Sequence, residues 1–399
     1  MKLQRKTVLM FRKTWISWLQ LRHQKAQTVS AALGITFITV LLFMQIGFRS
    51  SFLNTLLDLP ASFNADAVML NSSAVTVLRT PTFSELRLNQ TLAFEEVTRV
   101  APIYWSSVLM RDPEGGEKYL RKVQAIGLPL TWDVMLLDSV YGQYNKLKIK
   151  RNVLIDQRSK KSFSQIIDSV KSGKDYSIEV RGGRHQARIR VTGLFDVGVN
   201  QSANSHIITS DETFMEVFNR PRSKINLGLI QLHPGSDATL VAEKMNAYLP
   251  EDVKVVALPD LLNQERDFYE FQTPIGIIFR FGLGGAVAVG IVILYQILFQ
   301  LISKYIRDFA TLKAIGFSNG QLRRIVLGSA LMLAVLGFLP GLGLSFLMYD
   351  VIAKATALRF EMTWEVAVIV FGAIAFICVI SALLAIRKLN DADPADLFG

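Results

Sequence analysis

The sequence predicts an α-helical membrane protein with four transmembrane helices, one before and three after a large α+β domain. Three observations carry this. Half of the 399 residues are hydrophobic. Four stretches, 26–48, 281–303, 325–349 and 366–386, hold no Asp, Glu, Lys or Arg and are long enough to cross roughly 30 Å of hydrocarbon. The net charge of +11 is concentrated beside those stretches, as the positive-inside rule requires of cytoplasmic flanks.

Residues 1–27 carry seven Lys or Arg and no acid. Phe11, Trp15 and Trp18 mix there with Arg12 and Lys13, which suits either an amphipathic helix at the headgroup level or a simple basic extension. The apolar run that follows is too long for the core of a secretory signal, so 26–48 reads as an uncleaved anchor. Residues 303–324 carry five bases against Asp308 alone, while 49–280 is nearly balanced at 28 bases and 26 acids. The expected layout is therefore 1–25 cytoplasmic, 49–275 outside, a second span over 276–303, 304–324 cytoplasmic, a short outer loop at 350–365 and a cytoplasmic tail at 387–399. A nucleic-acid partner is not expected, because no basic face with interleaved aromatics appears.

Within 49–275, strands are expected at 68–70, 74–78, 103–110, 119–127, 225–232 and 253–257, with helices at 90–99 and 237–248. Each half reads as strand, helix, strand. A different stretch, about 128–222, reads as an inserted subdomain with strands at 153–155, 176–180 and 186–197 and a helix near 161–171. A helix from Asp260 is expected to run through Pro274 into the second span.

Gly282, Ala286 and Gly290 recur every four residues, and Gln296 and Gln300 share another spacing of four. Small faces let helices approach closely and amides hydrogen-bond across them. The partner helix belongs either to the same chain or to a second copy. Pro340 is expected to kink the third span. Arg280 reads as a snorkelling residue at the outer edge of the second.

Catalytic and metal-binding signatures are absent. No phosphate-binding Gly-x-x-x-x-Gly-Lys-Ser/Thr loop and no Gly-x-Ser-x-Gly elbow occurs, so ATP hydrolysis by this chain is not expected. His23, His185, His206 and His233 lack metal-ligand spacing and read as surface or turn residues. The lone Cys378 reads as a small apolar filler.

The informative segment is the inner loop. Ile302, Ile306, Phe309, Leu312 and Ile315 form an apolar helical stripe that needs a partner, either bilayer or protein. Gly316 suits a helix stop, and Ser318 with Gln321 suits a capping box that restarts a helix. The segment "IRDFATLKAIGFSNGQLRRIVL" resembles the loop of the MacB/FtsX/LolC family of ABC-transporter membrane subunits. The tail "ALLAIRKLNDADPADLFG" is similar to that family's ending, and the one-plus-three layout matches. The closest likeness is to the DevC-type cyanobacterial permeases, which have no fused ATPase.

This resemblance implies a porter-like outer domain with an inserted sabre-like subdomain. It implies a homodimer on a separate ABC ATPase subunit, which uses the ATP and Mg²⁺; no cofactor is expected on this chain. Ile306, Arg307, Asp308, Phe309, Leu312, Lys313, Ile315 and Gly316 would form the coupling helix against that ATPase. A periplasmic membrane-fusion protein and a TolC-like outer-membrane channel would complete an exporter, with glycolipid as the cargo implied by DevC. The alternatives are a lipoprotein-release subunit like LolC and a regulator of a cell-wall hydrolase like FtsX.

Overall fold

The computed structural model describes residues 25–112, 120–182, 185–198, 203–304, 318–356, 360 and 362–390. The chain divides into two units, one of 1–50, 277–352 and 360–399, the other of 51–276 and 353–359.

The first unit is helical. Its helices are α1 (Lys25–Ala61, which continues into the second unit), α9 (Pro274–Lys304), α10 (Asn319–Thr356) and α11 (Trp364–Asn390). Each contains a window long and apolar enough to cross a membrane, in agreement with the four charge-free stretches. Ala31, Ile35, Ile38, Leu42, Leu333, Ile374, Ile377 and Cys378 are among its buried core. Small residues set the helix spacing. A Cβ on Gly337 would lie 2.4 Å from the Ile35 side chain, and one on Gly341 2.7 Å from Thr39. Thr36 Oγ1 donates to the Gly337 carbonyl at 3.0 Å, and α10 runs through Pro340 as a single helix.

In the second unit, β1 (Ala67–Asn71), β3 (Val97–Arg111), β10 (Leu227–Leu232) and β11 (Val253–Ala257) lie in the order β11-β1-β10-β3, all antiparallel. Helix α2 (Glu85–Gln90) connects β1 to β3, and α7 (Ala238–Tyr248) connects β10 to β11, while β2 (Phe83–Ser84) and β9 (Lys224–Ile225) form a separate two-stranded sheet. Leu88, Val241 and Met245 from these helices share one core with Met69, Ile230 and Val255. This is the split β-α-β arrangement, made of two half-repeats. Asp237 caps α7 by accepting from the Thr239 and Leu240 amides at 3.0 and 3.3 Å. The edge strand β11 is blunted by Asn246, which accepts from the Val255 N–H and donates to its carbonyl, both at 2.7 Å; such an edge is a poor template for strange strands.

The chain between β3 and β10 builds on the far half of the 15-residue β3. Strands β4 (Leu120–Leu128), β5 (Asn152–Asp156), β6 (Tyr176–Gly182), β7 (His185–Phe195) and β8 (Ser205–Ser210) follow in the order β3-β4-β8-β5-β7-β6. Strand β6 then pairs with β3 through Leu109–Arg181 and Met110–Val180, which closes a six-stranded barrel without free edges. Alternate residues Met110, Val123, Ile155, Val180, Val191 and Ile207 enter one core, while Ile126, Leu154 and Ile208 face a second. The short helices α3 (Asp138–Tyr141) and α4 (Tyr144–Leu147) add Val140 and Leu147 to the second core, and helix α5 (Ser164–Lys171) and helix α6 (Asp211–Phe218) add Ile166 and Phe214 to the first.

Gly127 on β4 lies under α6, where an added Cβ would sit 2.6 Å from Phe214 Cβ. Gly127→Val is therefore expected to cost about 1–3 kcal/mol by overpacking, read as a lowered Tm of the purified chain; an unchanged Tm would contradict this close approach.

Several expectations are corrected. Residues 74–78 are not a strand: Val77–Arg79 is a 3-10 turn, because a distant carboxylate takes the Val77 amide. Residues 90–99 are not a helix; α2 ends at Gln90, a 3-10 turn covers Thr91–Ala93, and β3 begins at Val97. No continuous helix runs from Asp260 through Pro274. Helix α8 (Leu258–Asp267) passes into one π turn, Phe268–Gln272, and Thr273 is extended at φ −99° and ψ 148°. The ring of Pro274 disfavours helical backbone at the residue before it. Thr273 then caps α9, its Oγ1 accepting from the Gly276 N–H at 3.2 Å. Strand β8 and helix α6 have no counterpart among the expected elements.

Candidate functional site

The expected coupling residues Ile306, Arg307, Asp308, Phe309, Leu312, Lys313, Ile315 and Gly316 lie outside the described residues, as does the basic segment 1–24. What the structure places is the restart after them. The Ser318 N–H donates to Gln321 Oε1 at 2.9 Å, and the Gln321 N–H to the Ser318 carbonyl at 2.9 Å. Helix α10 begins at Asn319, and the Ser318–Gln321 pair supplies the side-chain-to-backbone half of a capping box.

The small residues of α9 face α1 within the same chain. A Cβ on Gly282 would sit 2.7 Å from Gln45 Oε1, and one on Gly290 3.0 Å from Ile38; Ala286 is buried. Gln296 and Gln300 lie on a different side of α9 and are exposed. Another contact was not legible in the sequence: Tyr349 donates its phenol to the Phe43 carbonyl at 2.5 Å. Gly47 allows the approach, since a Cβ there would meet that phenol oxygen at 2.3 Å.

In the second unit, the most unusual polar group is Glu265 on α8, only 3% exposed. Its Oε1 accepts from the Val77 N–H at 2.6 Å, and its Oε2 has no partner. Burial pushes this carboxyl up to about 7, against the pull of the Val77 amide and the Lys254 charge. The glutamate sits four residues after buried Leu261 on the inner face of α8. An acid at that step of an apolar stripe was the available signal.

Among the histidines, His206 departs from the surface reading. It is 1% exposed on β8, with Nδ1 3.7 Å from Oδ2 of the fully buried Asp156. That carboxylate accepts instead from the Gly198 and Arg158 amides at 2.6 and 2.9 Å, and neither His206 ring nitrogen has a hydrogen-bond partner among the described residues. Both groups are sealed from solvent. Among the described residues, no group of three or more His, Cys, Asp or Glu is placed to hold a metal.

Residues 280–394, which run from the outer part of α9 through the inner loop, α10 and α11, match the family model described as FtsX-like permease C-terminal. Over these residues the chain carries an FtsX-like permease C-terminal domain. Three of the four helices long and apolar enough to cross a membrane overlap that match.

Three solved structures are similar to parts of this chain. One is the periplasmic region of MacB from Actinobacillus actinomycetemcomitans, at 12% identity over 51% of this chain and 92% of that one, with a TM-score of 0.33. A second is the extracellular domain of the noncanonical ABC-type transporter YknZ from Gram-positive bacteria, at 17% identity over 48% and 100%, with a TM-score of 0.30. A third is a permease-protein domain from Porphyromonas gingivalis, at 14% identity over 47% and 87%, with a TM-score of 0.27. No curated protein matches the chain.

Proposed function

We propose that this permease is the membrane subunit of an exporter driven by a separate ATPase, and that it works by moving its outer domain rather than by opening a path through its helices. The family match over 280–394 carries this reading, because it includes the basic inner loop whose apolar stripe needs a partner. The charge-free spans support it too: a coupled ion or charged cargo passing between the helices would call for ionisable residues at mid-membrane.

In this reading, ATP binding and hydrolysis by two ATPase subunits move the loop helix 306–316 of each copy in a homodimer. The motion passes along α1 and α9, which join the charge-free stretches to the α+β domain by chain continuity. Gln296 and Gln300, exposed on α9, are the side offered to the second copy. Substrate, with a glycolipid as the class implied by the DevC likeness, leaves through a membrane-fusion protein and a TolC-like outer channel. The chain itself binds no nucleotide and performs no chemistry.

The layout is tested by thiol labelling in a Cys378→Ala background. Ser73 and Gly320 are both exposed. Ser73→Cys is expected to react with an impermeant reagent in intact spheroplasts, and Gly320→Cys only after permeabilisation. Labelling of Gly320→Cys from outside would reverse the orientation.

A further inference from the structure

The second unit contains a cavity of about 450 Å³, within the roughly 300–1,000 Å³ of small-molecule pockets. Phe52 and Leu56 of α1, Phe268 of the π turn and Ile275 of α9 are among its apolar walls, and Thr76 and Arg79 add polar groups. Two features of this lining point to a ligand.

The first is polar. Thr76 is 4% exposed, yet its hydroxyl makes no hydrogen bond; the neighbouring Tyr269 phenol is near enough to feel it without meeting hydrogen-bond geometry. A buried, unpartnered hydroxyl is costly unless something else satisfies it. Arg79 is the only charged residue of the lining, and it forms no ion pair with any described residue. No acid lines the cavity to hold an ammonium group.

The second is position along the chain. Phe52 follows the charge-free stretch of α1 by about one helical turn, and Ile275 precedes that of α9 by less than two. On the membrane layout proposed above, on which this inference rests, these walls stand at the outer headgroup level. Further along α9, Ile278 and Phe281 are apolar residues exposed at 66% and 77%.

We propose that this cavity binds one anionic phospholipid of the outer leaflet. An acyl chain lies against Phe52, Leu56, Phe268 and Ile275. The phosphate accepts from Arg79, and the Thr76 hydroxyl meets an ester or phosphate oxygen. A lipid held there touches α1, the Val77–Arg79 turn, the π turn and the start of α9 together, so its occupancy favours one arrangement of the joint at Thr273–Pro274 over others.

The test uses the full chain carrying Phe268→Trp, reconstituted with chain-brominated phosphatidylglycerol or phosphatidylcholine, with the quenching of the native five tryptophans subtracted. Phosphatidylglycerol is expected to quench at a concentration at least tenfold lower than phosphatidylcholine, and Arg79→Glu is expected to remove that difference while leaving Tm unchanged. Equal quenching by the two lipids, or a preference that survives Arg79→Glu, overturns the proposal. Competition by soluble glycerol phosphate in the millimolar range would assign the site to a free anion and also overturns it. The Ser73→Cys and Gly320→Cys labelling is independent of lipid, so a failure of the layout and a failure of the lipid site are told apart.

Discussion

Phe309→Glu and Leu312→Glu are each expected to release the ATPase subunit from the solubilised complex, whereas Thr311→Glu retains it. The apolar stripe of the inner loop places Phe309 and Leu312 on one helical face and Thr311, two residues from Phe309, off it. Removing a buried aromatic or leucine from the centre of an interface typically costs about 2 kcal/mol or more, roughly a thirtyfold loss in affinity. A charge in its place costs more, since it is buried without a partner. Arg307 and Asp308 stand at the rim in this arrangement, where a single pair contributes about 1 kcal/mol or less. Gly316→Val acts differently, straining the turn without touching the contact. The competing arrangement, a helix lying on lipid, gives the opposite pattern: Phe309→Glu weakens membrane seating and leaves ATPase capture intact.

Glu265→Gln is expected to stabilise the purified permease at pH 8 and to flatten its stability profile between pH 4.5 and 7. The carboxyl rises from the ordinary value of 4.5 to about 7 on folding because it is buried. Below pH 4.5 both folded and unfolded chains hold the proton, and burial carries no ionic penalty. Between 4.5 and 7 the unfolded chain loses its proton first, so stability falls as pH rises; above about 7 the loss is complete. At about 1.4 kcal/mol per tenfold in acidity, this amounts to roughly 3 kcal/mol. Gln keeps the acceptor for the Val77 amide and carries no charge at any pH. Unfolding followed by the fluorescence of Trp105 and Trp132 reads the effect. A wild-type profile that is flat from pH 4.5 to 7 would show that Glu265 is not buried as an isolated acid.

The sequence was most informative where one physical requirement dominates. Each of the four apolar helices announces itself by twenty or more residues without charge, because hydrocarbon tolerates nothing else. Strands β10 and β11, and helix α7, were legible from local periodicity and turn chemistry. Strand β8 was not, since it buries Ser205, His206, Thr209 and Ser210 alongside Ile207 and Ile208 and so lacks an apolar alternation. Closure of the barrel through β3 and β6 joins residues some seventy positions apart, beyond any local signal. The same holds for the 74–78 segment, whose β-branched residues read as a strand until Glu265, 188 positions away, takes its amide. In the candidate site, the cap at Ser318 was readable and the break at Thr273 is signalled locally by Pro274, whereas the Tyr349–Phe43 bond depends on how separate helices meet.

The central claim is that this chain transmits ATPase motion without hydrolysing nucleotide itself, and ATP turnover in reconstituted membranes tests it most directly. The purified permease alone is expected to show no hydrolysis above an empty-vesicle baseline. With its ATPase subunit bound, turnover should appear and should respond to Phe309→Glu by losing its dependence on the permease. Hydrolysis by a preparation free of any partner subunit, or turnover of the complex indifferent to Phe309→Glu and Leu312→Glu alike, would contradict the account.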